Sequence, residues 1–161
     1  MKTKKITVLS LCTALAMIMS YIEGLFPAFW VPGVKVGLPN IIIIFILYRI
    51  GTKEAIAVSL VRIFLNTLLF GNPLTLIYSL AGGILSIICM ILLKKSQIFS
   101  QLGISVVGGI THNVGQIIVA CIIMETAQIS LYLPVLIITG ILAGICVGLA
   151  GSLLVNRIKK I

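Results

Sequence analysis

Six long apolar stretches, at 6–26, 38–50, 55–70, 74–93, 102–124 and 133–155, decide what this chain can become. They are apolar nearly all round, so no polar face marks a side for water, as expected of helices that face lipid. A spanning helix needs about 20 apolar residues, and six of them fill most of a 161-residue chain. Only 9% of the residues are charged, where a soluble domain carries about 25%. A transmembrane β-barrel needs alternating polarity, which the run Ile41-Ile42-Ile43-Ile44 contradicts. Turn-forming residues separate the stretches: Phe26-Pro27, Val31-Pro32-Gly33, Arg49-Ile50-Gly51, Gly71-Asn72-Pro73 and Leu133-Pro134. The expected fold is an all-α integral membrane protein, one six-helix transmembrane domain over residues 1–161.

The placement of charge supplies a test of that count. Lys and Arg total 12 against three acids, all Glu. If six helices alternate from a cytoplasmic N-terminus, then Lys2, Lys4, Lys5, Arg49, Lys53, Lys94, Lys95, Arg157, Lys159 and Lys160 all fall on the inner side. That is the positive-inside pattern. Five or seven spans would scatter the same clusters over both faces. Both termini are therefore expected in the cytoplasm of a multi-pass protein. The net charge of +9 is then a topology signal directed at anionic headgroups, and no nucleic-acid partner is needed to account for it. The first stretch follows Lys4 and Lys5 as a signal peptide would, but it is long and has no small-x-small cleavage site before Glu23. It reads as a retained first helix.

Two stretches, 38–50 and 55–70, are short for a ~30 Å hydrocarbon core. A short helix shielded by its neighbours often borders a cavity, and the 26–37 loop is placed to fold into one. Intramembrane polar groups are costly and ask for a reason. Arg62 stands mid-segment with Ser59 at i−3 and Asn66 at i+4, one stripe of a helix. The fifth stretch repeats the pattern with Ser105, Gly109, His112 and Gln116, with Asn113 one position round; the fourth does so with Thr75, Ser79, Gly82 and Ser86. Turned inward together, these stripes would floor a substrate cavity with Arg62, Asn66, His112, Asn113 and Gln116. Arg62 has two readings: a charge presented to an anionic or carbonyl-rich ligand, or a lock satisfied by Asn66, Asn113, Gln116 or carbonyls. His112, without an acid beside it, is expected to pack or hydrogen-bond rather than relay protons.

Glu23, Glu125, Lys35 and Trp30 are candidate rim residues, with interfacial anchoring as the plainer role for Trp30. Gly140, Gly144 and Gly148 form a double G-x-x-x-G, which serves either close packing inside the bundle or docking of a partner. Gly82-Gly83 and Gly108-Gly109 are expected to break their helices near mid-depth. Cys12, Ala16 and Ser20 make a small-residue stripe in the first helix. The four cysteines show no C-x-x-C spacing and one His cannot complete a zinc motif, so no metal or cofactor is expected. There is also no G-x-x-x-x-G-K-[ST], H-E-x-x-H or G-x-S-x-G. The chain is expected not to be an enzyme and to carry no ATPase of its own.

At Lys35-Val36-Gly37-Leu38-Pro39-Asn40, followed by Arg62, Ser79, Gly82-Gly83 and Gly108-Gly109-x-x-His112-Asn113-x-Gly115-Gln116, the chain resembles the small bacterial membrane proteins of the Gx transporter family. Their other label is heptaprenyl diphosphate synthase component I. That family is grouped with the substrate-binding S components of energy-coupling factor transporters, six-helix proteins of the cytoplasmic membrane that capture vitamins and other micronutrients. The resemblance implies an outward-opening site, which adds Lys35, Asn40 and Ser79 to the candidate ligands. It also implies a docking face for a transmembrane coupling subunit, energised by separate ATPases, on Cys12, Ala14, Ala16 and Ser20. Catalytic prenyl diphosphate synthases hold Mg²⁺-diphosphate on clustered Asp, because hard cations want carboxylate oxygens. This chain has no Asp. The functional expectation is a membrane-embedded component binding a small-molecule substrate for uptake; the alternative is a non-catalytic accessory subunit for polyprenyl diphosphate and isoprenoid-quinone synthesis.

Overall fold

A computed structural model describes residues 2–25 and 37–158. All the regular structure in them is helical: α1 (Lys2–Leu25), α2 (Asn40–Arg49), α3 (Thr52–Phe70), α4 (Pro73–Ser96), α5 (Gln101–Ile123), a 3₁₀ segment (Ala127–Tyr132) and α6 (Leu133–Arg157). The six apolar stretches and the six α-helices correspond one to one. α1, α4, α5 and the 3₁₀ segment continued by α6 are long and apolar enough to cross a membrane. α3 has 19 residues, about 28 Å at ~1.5 Å per residue, but carries Lys53, Glu54 and Arg62.

The helix starts are chemically marked. Asn72 caps α4, its side chain accepting from the Thr75 N–H at 2.8 Å while the Thr75 hydroxyl accepts from the Asn72 N–H at 2.9 Å. Pro73 follows at the position where a missing N–H does no harm. Ser100 caps α5 by accepting from the Gly103 N–H at 3.1 Å. α4 and α5 run unbroken through Gly82-Gly83 and Gly108-Gly109, so these glycines do not interrupt their helices. Their use is close approach. A Cβ at Gly115 would lie 2.7 Å from the Ala81 carbonyl oxygen, and one at Gly82 would lie 2.7 Å from that of His112. Gly140, Gly144 and Gly148 face α5, where a Cβ at Gly144 would come within 2.5 Å of Val106 Cα. The double G-x-x-x-G is thus spent inside the bundle.

α2 is the core. Residues 41–47 are buried one after another, Ile43, Ile44, Ile46 and Leu47 almost completely. Isoleucine is a middling helix former; the segment is helical because a fully enclosed backbone must satisfy its own N–H and C=O groups. Ten residues reach only about 15 Å, so α2 is half the thickness of a bilayer core and its neighbours cover both its sides and its end. Gly37, with φ at +75°, supplies the left-handed turn into it, and the Gly37 N–H donates to the Glu23 carboxylate at the end of α1.

Basic side chains meet at one end of the bundle. Lys5 of α1 pairs with Glu54 of α3 at 2.5 Å. Arg49, closing α2, donates from Nε at 2.7 Å to the Val155 carbonyl in the last turns of α6. Lys94 of α4 donates to the Leu47 carbonyl and stands 5.0 Å from the Tyr48 ring centroid. The beginnings of α1 and α3 and the ends of α2, α4 and α6 are therefore neighbours, which is the arrangement an alternating chain requires.

Candidate functional site

A cavity of about 450 Å³ lies within the other half of the bundle. The last turns of α1 and α3 line one end of it, where Tyr21 and Phe70 pack with ring centroids 5.0 Å apart. It runs inward past Arg62 and Asn66 to small residues of α5 and α6, among them Ser105, Gly108, Gly109 and Gly144.

Arg62 is the chemical centre. Its Nη1 donates to the Ser20 hydroxyl at 3.4 Å, a long bond, and its buried Nε has no hydrogen-bond partner among the described residues. One turn on, the buried Asn66 Oδ1 has none among them either, nor has the Ser105 Oγ deeper in. Leaving a buried donor or acceptor unmade costs roughly 1–3 kcal/mol, more when it is charged. Three such atoms belong to residues that line one cavity. Glu23 joins them, one turn after Ser20 on α1 and on the same cavity wall.

Of the predicted ligand residues, Asn40, Arg62, Asn66, Ser79, His112 and Asn113 all line this cavity. Asn113 is partly committed elsewhere: its Nδ2 donates at 2.6 Å to the Leu136 carbonyl and ties α5 to α6. Gln116 lies outside the cavity lining. The α4–α5 contact closes over it, with its Cγ against Gly82. Lys35 and Trp30 lie outside the described residues, as does all of the 26–37 loop except Gly37. Glu125 sits exposed where α5 ends, away from the cavity. Ser59, on the Arg62 stripe, is buried below it and not in the lining.

The docking patch expected on α1 is not one outward face. Cys12 and Ala16 are buried at 6% and 0% exposure in the core with α2. Ser20 belongs to the cavity wall, and only Ala14 points outward. Small residues let α1 approach the bundle closely, so their stripe serves the chain's own packing. Spacing alone would not have found Ser20 and Glu23 as cavity residues, although their three-residue separation puts them on one side of α1.

A family model described as heptaprenyl diphosphate synthase component I matches residues 12–154. No curated protein and no solved structure matches the chain.

Proposed function

The chain belongs to the heptaprenyl diphosphate synthase component I family, and from that premise we propose that it is a non-catalytic membrane subunit that holds a small ligand around Arg62 and works beside a separate catalytic prenyl synthase. The observation carrying this reading is the family match over nearly the whole chain in a sequence without a single Asp. Its three Glu are dispersed: Glu23 at the cavity, Glu54 on Lys5 at the opposite end, Glu125 beyond α5. Among the described residues no three His, Cys, Asp or Glu side chains come together. Magnesium diphosphate chemistry, which needs clustered hard oxygens, belongs to the partner.

A second reading is favoured by the direction of the cavity. It lies in the half of the bundle away from Lys5, Arg49 and Lys94, which, with both termini inside, the positive-inside rule would make the outer side of a bacterial cytoplasmic membrane. A ligand entering from outside is the behaviour of an uptake component energised by separate ATPases. Both readings give the protein a ligand site and no chemistry. Affinity capture from native membranes, combined with solute uptake assays, separates them. Recovery of a catalytic prenyl synthase subunit supports the first; ATP-dependent uptake with no synthase captured overturns it in favour of the second. Alkaline phosphatase and fluorescent-protein fusions at both termini test the orientation.

A further inference from the structure

The cavity is longer than its volume suggests. Along α4 its lining runs from Thr75 to Met90, about 22 Å at ~1.5 Å per residue, whereas 450 Å³ drawn as a sphere would be only about 10 Å across. An inner arm continues past Arg62. Gly83 of α4 packs against Ile63, the neighbour of Arg62, and Met90 packs against Gly108 of α5; between those two contacts α4 advances ~10 Å. The arm is lined by Ile44, Met90, Ala143 and Val147, and the Ser86 hydroxyl beside them is spent on the Gly108 carbonyl at 2.8 Å. The buried Ser105 Oγ, in the same arm, has no hydrogen-bond partner among the described residues.

At the head of that arm stand a donor and an acceptor one turn apart on α3. Arg62 Nε and Asn66 Oδ1 are both buried, and neither bonds the other or any other described residue. A group that meets both carries an acceptor and an N–H side by side. Glu23 bears on its charge: the carboxylate attracts the guanidinium and accepts from the Gly37 N–H. An anionic head on the same guanidinium would be held near that carboxylate, and like charges out of water repel more strongly than in it. A carboxamide has the acceptor and the N–H without the charge. We propose that the cavity takes an elongated neutral amphiphile: a carboxamide-type head with its C=O on Arg62 Nε and its N–H on Asn66 Oδ1, an apolar stem along Ile44, Met90 and Val147, and one polar atom at the inner end for Ser105. This rests on the reading of the cavity as a ligand site. The ~10 Å rise corresponds to a stem of about eight carbons, each bond of ~1.5 Å advancing ~1.25 Å in an extended zigzag.

The test uses the full-length protein in lipid nanodiscs, with empty nanodiscs as the blank. It is titrated calorimetrically with linear ω-hydroxyalkanamides of about four to about fourteen carbons, bracketing that stem, and with carboxylates of the same lengths. Affinity should peak near the middle of the series, and the amide should exceed the matching carboxylate at least tenfold. Removing the ω-hydroxyl should weaken binding to the wild type but not to Ser105→Ala. Ala143→Leu, and independently Val147→Phe, fills the arm and should move the peak to shorter chains while the shortest amides bind as before, a shift that general destabilisation would not produce. A carboxylate bound as tightly as its amide overturns the neutral head. An affinity flat in chain length, or a peak unmoved by either filling variant in folded, monodisperse protein, overturns the stem in the inner arm. No heat from any member overturns the proposal whole; a small-molecule adduct on protein ejected from membranes would then leave the ligand site standing, and its absence would overturn that reading too.

Discussion

Replacing Arg62 with methionine should make the empty protein more stable. Among the described residues the guanidinium makes one long hydrogen bond, 3.4 Å to Ser20, and its buried Nε makes none, so hydrogen bonding returns little of the cost of leaving water and the attraction of Glu23 has to offset the rest. Exchanging such a buried charge for an apolar side chain of similar length is worth about 1–4 kcal/mol when its partners do not depend on it. Both partners keep another bond when it goes: Ser20 can bond a carbonyl one turn back in its own helix, and Glu23, whose charge attracts the guanidinium, keeps the Gly37 N–H. At ~2–4 °C per kcal/mol for a chain of this size, Arg62→Met should raise the unfolding midpoint by ~2–16 °C, read by scanning fluorimetry in detergent on ligand-free protein. The opposite outcome has an equally definite size. Removing one partner from a buried network that needs it costs ~3–5 kcal/mol, a fall of ~6–20 °C. A fall of that order would make Arg62 a structural lock and refute its role as a ligand group. Stability surrendered at a binding site is a general pattern, and this residue is where it should be found.

Three other substitutions read separate parts of the account. Gly144→Ala places a methyl 2.5 Å from Val106 Cα, a backbone atom that cannot rotate away, and should cost ~1–3 kcal/mol, seen as a lower unfolding midpoint. Asn66→Ala should weaken ligand retention at least tenfold while Gln116→Ala leaves it unchanged, measured by released ligand per chain. Lys5→Ala removes an ion pair whose lysine is 51% exposed and should move stability by less than ~1 kcal/mol.

Most of the helices were legible because their ends carry local chemistry, as Asn72-Pro73 and Ser100 show, and because lipid admits only helices or closed barrels and the stretches lack a barrel's alternating polarity. Rotation about each helix axis was less legible. Stretches that are apolar all round carry no signal for which side faces inward, so the Cys12–Ala16 stripe read as readily as an outer docking face as the inner packing face it is. Gln116 failed for a different reason. Its four-three-four spacing keeps it on one helix stripe with Ser105, Gly109 and His112 at ~3.6 residues per turn, but a stripe does not say where a neighbouring helix closes over it. By the last member the Gly82 and Gly115 contacts have brought α4 over it. Arg62 and Asn66 were legible because charge and amide inside a membrane are rare enough to stand out without a face. Glu23 is legible only as a rim residue and Ser20 only as part of the small-residue stripe, since their part in the cavity depends on how α1 is placed beside α3.

Native mass spectrometry of the protein ejected directly from membrane extracts tests the central claim most directly, with wild type and Arg62→Met compared side by side. The account predicts a small-molecule adduct on the wild-type chain and its absence from the variant, with both still folded. The same adduct on both proteins would contradict the role given to Arg62, and an adduct on neither would contradict the ligand site.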